Sequence, residues 1–140
     1  MKKLIKIKNQ MNENIKVLVS GTREGCDEKI LINMIAEIIK IHGNKNYILI
    51  CGGAKGVDTQ AANYCISLGW KIKYFIPKWT ELGKKAGVLR NQEMVNENPD
   101  FGFFILSKES RGTYDCLERF KKINKPGIVY NPYTDSIINI

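Results

Sequence analysis

The 140-residue chain has no C-x-x-C pair and a single histidine, His42. Its four cysteines, Cys26, Cys51, Cys65 and Cys116, are scattered, so no zinc site of the usual Cys/His spacing is expected. Cys51 and Cys65 fall in apolar-patterned segments and read as core packing; His42 reads as a polar residue at a helix end. No apolar run approaches the roughly 18 residues of a membrane span. The basic N-terminus has no signal-peptide core either, because Lys6 and Lys8 interrupt Leu4-Ile5 and Ile7. A soluble, cytoplasmic protein without membrane contact is expected. Linker-like and low-complexity tracts are also missing, and the length suits one domain spanning residues 1–140.

What is present is an excess of positive charge and a recurring order of strand, turn and helix. The net charge of +8 implies either an anionic partner or a solubilising lysine surface. Much of it sits in Lys2, Lys3, Lys6, Lys8 and Lys16, where no chemistry is evident.

Leu4 to Lys8 alternate apolar and charged residues, and read either as an edge strand hairpinned to the next segment or as a tail. Ile15 to Val19 read as a buried strand ending in Ser20-Gly21-Thr22-Arg23, and Asp27 offers an N-cap. Ile30, Leu31, Met34, Ile35, Ile38 and Ile39 then recur at helical spacing up to Ile41, and Gly43-Asn44 ends the helix. Tyr47 to Cys51 is the nearly all-apolar run of a strand covered on both faces. It leads into Gly52-Gly53-Ala54-Lys55-Gly56-Val57-Asp58 and a second helix carrying Ala61, Cys65 and Leu68, with Gly69 at its end.

Lys71 to Ile76 read as a half-buried strand near a sheet edge, stopped by Pro77. Residues 77–87 show no period and read as a functional loop. A helix over Val88–Asn96, a strand over Phe101–Leu106, a polar turn over Ser107–Thr113, a helix bearing Leu117, Phe120 and Ile123, and a strand over Ile128–Tyr130 follow. In the last segment, 131–140, Ile137, Ile138 and Ile140 could dock on the sheet as an edge strand or remain a tail.

This alternation predicts a single Rossmann-like, doubly wound α/β domain with a mainly parallel five-stranded sheet of order 3-2-1-4-5. The crevice of such a sheet opens at the strand carboxyl ends, where the order reverses. Three polar turns would meet there: Ser20–Arg23, Gly52–Asp58 and Arg111–Thr113.

Glycines at 52, 53 and 56 before a helix N-terminus suit a phosphate, although such glycines also occur in ordinary tight turns. There is no Gly-Lys-Ser/Thr ending of a P-loop, and Gly-Gly-x-x-Gly is not the dinucleotide fingerprint. Arg23, Lys55, Lys84, Lys85, Arg90 and Arg111 supply positive charge near the rim. Trp79 could stack on a base or act as a partly buried anchor. Asp58 could cap its helix or accept a ribose hydroxyl. Asn91 could bridge loop backbone, and Glu93 could pair with Arg90 one helical turn away.

Three stretches carry a family resemblance: Gly52 to Ala61, Trp79 followed by Gly83 to Met94, and Arg111-Gly112-Thr113. In that order they resemble the SLOG superfamily, and within it the small stand-alone YspA-like branch. The resemblance implies a Rossmann-like domain that binds a nucleotide or nucleotide-derived ligand, as a sensor or sequestering protein, without a cofactor. It also implies a homodimer or higher homo-oligomer.

Two related groups supply alternatives. The LOG phosphoribohydrolases, which cleave the N-glycosidic bond of a nucleoside monophosphate, carry an Arg-bearing helix and P-G-G-x-G-T-x-x-E. Arg90 and Gly112-Thr113 match, but Cys116 stands at the position of the Glu, so the assisting carboxylate is missing. Asp115 could replace it only if the turn were re-aimed. DNA-processing protein A, a single-stranded DNA binder, has a turn similar to Gly53–Asp58 and an Arg-Asn pair like Arg90-Asn91.

The expected ligand contacts are therefore Gly21, Thr22, Arg23, Gly52, Gly53, Lys55, Gly56, Asp58, Trp79, Gly83, Lys84, Arg90, Asn91, Arg111, Gly112 and Thr113. If a bond is cleaved, Arg90, Asp115 and Glu93 are the candidates. The expected partner is a nucleotide-type small molecule, with single-stranded nucleic acid as the rival.

Overall fold

The computed structural model describes residues 14–108 and 111–140. The segment Leu4 to Lys8, read as an edge strand or tail, lies outside them, as do Glu109 and Ser110 of the polar turn. The chain runs β1 (Asn14–Gly21), α1 (Glu28–His42), β2 (Asn46–Cys51), α2 (Val57–Ser67) and β3 (Lys71–Tyr74). It continues through α3 (Trp79–Leu82), a 3-10 turn (Gly83–Lys85), α4 (Ala86–Asn96), β4 (Phe101–Ile105), α5 (Arg111–Lys121), β5 (Gly127–Asn131) and β6 (Ser136–Asn139).

The six strands lie in the order β3-β2-β1-β4-β5-β6. The first five are parallel, as the expected 3-2-1-4-5 order requires. The terminal segment adds β6, antiparallel to β5.

Each element follows from local chemistry. Asp27 caps α1, its Oδ1 accepting the Lys29 N–H at 3.0 Å, and Gly43 at φ +80° ends it. Val17, Leu18 and Val19 of β1 are all fully buried, because helices cover both faces of the sheet. Val17, Val19, Leu49 and Phe103 meet Leu31, Ile35 and Ile38 of α1 and Ala61 and Cys65 of α2. On the other face, Leu18, Ile50, Phe104 and Val129 meet Met94 and Val95 of α4 and Cys116, Leu117 and Phe120 of α5.

Two segments differ from expectation. Residues 79–85 are not irregular loop but two single turns, four and three residues long, too short to print a period on the sequence. Helix α5 starts at Arg111, inside the expected polar turn. Thus Arg111, Gly112 and Thr113 are helical rather than part of a turn, which their polar composition concealed. Both changes occur at the carboxyl ends of strands, where they shape the site.

Candidate functional site

Two adjoining cavities open at these carboxyl ends. The first, of about 330 Å³, lies where the strand order reverses between β1 and β4. Ser20, Gly21, Thr22, Arg23 and Glu24 line it from the β1 side, and Ser107, Arg111, Gly112 and Thr113 from the β4 side. The second, of about 380 Å³, lies beyond the end of β2 and is lined by Gly52, Gly53, Lys55, Ile76, Pro77 and Trp79. Arg23, Ala54 and Arg90 border both. The two hollows therefore form one cleft with a positively charged waist.

The wall after β1 is held rigidly. Val57 N–H donates to the Thr22 carbonyl at 3.1 Å. The Gln60 amide accepts from Cys26 N–H at 3.0 Å and donates to the Cys26 carbonyl at 2.9 Å. Gly56, at φ +82°, lets α2 approach so closely that an added Cβ would fall within 2.5 Å of the Arg23 carbonyl oxygen. Arg23 itself is exposed, and its side chain makes no hydrogen bond or ion pair with any described residue. Among the described residues it is an unpaired cation on a fixed loop.

Arg90 is more constrained. Its Nη1 donates to the Gly52 carbonyl at 3.1 Å and to the Phe75 carbonyl at 3.4 Å, and its Nε donates to Asn91 Oδ1 at 3.0 Å. The guanidinium thereby ties the ends of β2 and β3 to α4. Gly52 is required for this: a Cβ there would lie 2.6 Å from Arg90 Cζ and closer still to Nη1.

The glycine turn is consequently not a bare phosphate cradle. Asp58 Oδ2 accepts the Gly52 N–H at 3.0 Å, and the Ala54 and Gly21 N–H groups also bond to this carboxylate. Asp58 is only 5% exposed. Burial pushes its pKa from 3.8 up to about 6, against the opposing pull of Arg90 and of the three backbone donors. It holds the turn together, rather than capping α2, whose N-cap is Gly56.

The donors left for an anion lie across the first cavity. Arg111, Gly112 and Thr113 open the described part of α5, at the helix end where the dipole favours negative charge. An added Cβ on Gly112 would meet nothing within 4 Å, so this glycine leaves the cavity open rather than serving packing.

Several expected residues lie elsewhere. Asn91 is buried between α4 and α5, its Nδ2 donating to the Gly112 carbonyl at 3.1 Å and to Asp115 Oδ2 at 3.0 Å. It bridges backbone, and so positions the first turn of α5. Asp115 also accepts from Arg119 Nε at 2.9 Å, and it lines neither cavity. Glu93 is exposed and lines neither; Arg90, its expected ion-pair partner, bonds to carbonyls and Asn91 instead. Gly83 and Lys84 sit on the exposed 3-10 turn, outside both linings.

Cys116 is fully buried. Burial pushes its thiol up to about 12, despite a hydrogen bond with Ser20.

Glu24, Ile76 and Ser107 line the cleft without having been anticipated, whereas Ser20, Ala54 and Pro77 belong to the turns and loop expected there. Their signal was positional, since Ile76 and Ser107 stand at or just beyond strand carboxyl ends. A larger hollow of about 640 Å³ lies at the opposite end of β2 and β3, lined by Gly43, Asn44, Leu68 and Gly69. The carboxyl ends of α1 and α2 face it, which disfavours an anion there.

Comparison with known proteins agrees with this architecture. Residues 15–81, just under half of the chain, match the model of the YspA, cpYpsA-related SLOG family. Residues 15–81 are a YspA-like SLOG segment. This SLOG segment runs from β1 into α3 and so contains the walls formed after β1 and β2, whereas the α5 wall lies outside the matched range.

The Gene 61 protein of Mycobacterium phage D29 is 29% identical over 119 residues, covering 81% of this chain and 94% of the phage protein. Among solved structures, DNA processing protein A from Streptococcus pneumoniae superposes with a TM-score of 0.55 at 21% identity. That match covers 84% of this chain but 50% of the bacterial one, and it speaks to the fold alone. The match of residues 15–81 to the SLOG family model points to nucleotide- or nucleic-acid-related binding in general. No helix among the described residues is long and apolar enough to cross a membrane.

Proposed function

We propose that the protein binds a nucleotide or nucleotide-derived phosphate ligand across the two cavities, acting as a sensor or sequestering protein. The observation that carries this reading is the shared waist of Arg23, Ala54 and Arg90 between a polar cavity and one walled by Trp79, Ile76 and Pro77. A phosphate in the first cavity would meet Arg23, Arg111 and the first turn of α5. A base in the second would lie beside the Trp79 ring, which is 49% exposed and rests against Gly87. The separation of polar and apolar walls matches a ligand with one anionic and one aromatic end.

Single-stranded nucleic acid is the second reading. It is favoured by the exposure of Tyr74 and Trp79 beside Lys55 and Lys78, since stacking platforms flanked by cations bind successive bases. Cleavage of an N-glycosidic bond has less support. The carboxyl groups bordering the first cavity are Glu24 and Asp58, and Asp58 is committed to backbone donors.

Thermal shift with mononucleotides, ADP-ribose, cyclic nucleotides and short oligonucleotides tests these readings. A ligand at about 100 times its Kd adds about 2.7 kcal/mol, or roughly 10 °C in a chain of this size. The phosphate reading expects the shift to fall to about half or less in an Arg23→Ala/Arg111→Ala double variant that melts like wild type without ligand. A nucleotide-induced shift of equal size in that variant would overturn it. Oligonucleotide binding with a steep salt dependence and no response to mononucleotides would favour the second reading.

A further inference from the structure

The turn after β1 brings two side chains of opposite charge to the first cavity, Arg23 and Glu24. The backbone beneath Glu24 is fixed: its N–H donates to Thr22 Oγ1 at 3.2 Å, and the Gly25 N–H donates to the Thr22 carbonyl at 3.3 Å. The carboxylate is exposed and makes no hydrogen bond or ion pair with any described residue. Beside a phosphate it repels, unless it accepts hydrogen bonds from another part of the same ligand.

Strand spacing places that other part. Neighbouring strands lie about 4.8 Å apart, so the end of β2, under the second cavity, and the opening between β1 and β4 are separated by about 7 Å. One sugar unit bridges that distance, over the waist of Arg23, Ala54 and Arg90. A ribose there brings hydroxyl donors, and each needs an acceptor.

Most acceptors around the waist are already engaged. The Thr22 carbonyl accepts the Val57 N–H, the Gly52 carbonyl accepts Arg90 Nη1, and the Ala54 carbonyl accepts the Thr59 hydroxyl at 2.7 Å. Asp58 is buried and bonded to three backbone donors. Of the two carboxylates lining the first cavity, Glu24 is the one with open acceptor positions.

Building on the nucleotide reading of the cleft, we propose that Glu24 determines specificity by accepting hydrogen bonds from the 2′- and 3′-hydroxyls of a ribose. Two carboxylate oxygens suit two vicinal hydroxyls, and bonds to an ionised acceptor are the stronger kind. The ribose contact expected of Asp58 thus falls to the turn after β1. The cleft then takes ribonucleotide-type ligands in preference to 2′-deoxy ones, since the 2′-hydroxyl is what separates the two classes. A DNA strand would set its phosphates against the Glu24 charge and offer no 2′-hydroxyl in return.

Calorimetric titration of the full chain with AMP, GMP, CMP and UMP, and with their 2′-deoxy counterparts, tests this. A ribonucleotide that binds should do so about tenfold more tightly than its deoxy form, the low end for a hydrogen bond to a charged group because Glu24 is exposed. Glu24→Ala should weaken the ribonucleotide by about tenfold and change the deoxynucleotide by less than about threefold, which removes the preference. Glu24→Gln, which keeps one acceptor oxygen, should retain part of it. Both variants should melt like wild type without ligand, because the carboxylate holds no described part of the fold. A wild type that binds both series equally, or a preference unchanged in Glu24→Ala, would overturn the proposal while leaving the phosphate site standing. Tighter binding of both series by Glu24→Ala would do so too, by showing that the carboxylate only repels phosphate. If no nucleotide of either series binds, the ribose contact falls together with the nucleotide reading.

Discussion

Replacing Gly52 by alanine perturbs the cleft at its most constrained point. The new methyl carbon would sit 2.6 Å from Arg90 Cζ, so the guanidinium must move by more than an ångström. It then loses the bonds from Nη1 to the Gly52 and Phe75 carbonyls, and draws away from the buried Asp58 carboxylate. Hydrogen bonds to charged groups contribute about 1.5–3 kcal/mol each. Water replaces part of that as the guanidinium swings into the cavity, leaving a loss of about 2–4 kcal/mol. At roughly 4 °C per kcal/mol for a chain of this size, Tm should fall by about 8–16 °C. Circular dichroism melts and urea titration measure the loss, and a double-mutant cycle assigns its cause. In an Arg90→Ala background, Gly52→Ala should cost under about 1 kcal/mol, because the clash is gone. An equal loss in both backgrounds would refute the assignment, as would a Gly52→Ala protein that melts like wild type.

Four other outcomes follow from the same geometry. Asp58 has a folded pKa raised to about 6, so the stability it contributes is fully present below about pH 4 and is lost as pH rises through 6. At 1.36 kcal/mol per unit, the difference between wild type and Asp58→Asn should change by about 3 kcal/mol between those limits, read from urea midpoints at several pH values. Gly112→Ala should leave stability unchanged or raise it by up to about 1 kcal/mol, since the site is helical and open, yet weaken anion binding by narrowing the first cavity. Asn91→Ala removes the side chain that joins Arg90, Gly112 and Asp115, and should lower stability by about 2–3 kcal/mol in a urea melt. Trp79→Ala should weaken binding of a nucleotide while leaving binding of inorganic sulfate unchanged, measured by calorimetry.

The sheet was legible because its signals are periodic and long. Continuous apolar runs at Tyr47–Cys51 and Phe101–Ile105, with helices of 11 to 15 residues between strands, leave few arrangements of a parallel sheet. The three turns could be placed at one rim from strand order alone. What each turn does there was not legible, because it depends on contacts between residues distant in the chain. Gly52 looked like a ligand contact, but its freedom from a side chain accommodates Arg90, 38 positions away. Asp58 looked like a cap or a ribose acceptor, but it gathers donors from two turns. Arg111 looked like part of a loop, because Gly112 and the polar residues around it hide a helix start. Lys84 is carried by two single helical turns onto an exposed surface outside both linings, a placement that turns too short to show a period could not reveal.

The central claim is that the first cavity holds an anion through Arg23, Arg111 and the first turn of α5. Sulfate is the most direct probe, because it has one charge state across the relevant pH range and no base to stack. Calorimetric titration of wild type at low ionic strength should show binding that Arg23→Ala and Arg111→Ala each weaken by roughly 3- to 10-fold, an amount equivalent to about 0.7–1.4 kcal/mol. Binding should also tighten as pH falls through about 6, where the Asp58 carboxylate beside the cavity becomes neutral. Sulfate affinity that is unchanged in both arginine variants, or no sulfate binding at all, would contradict the account.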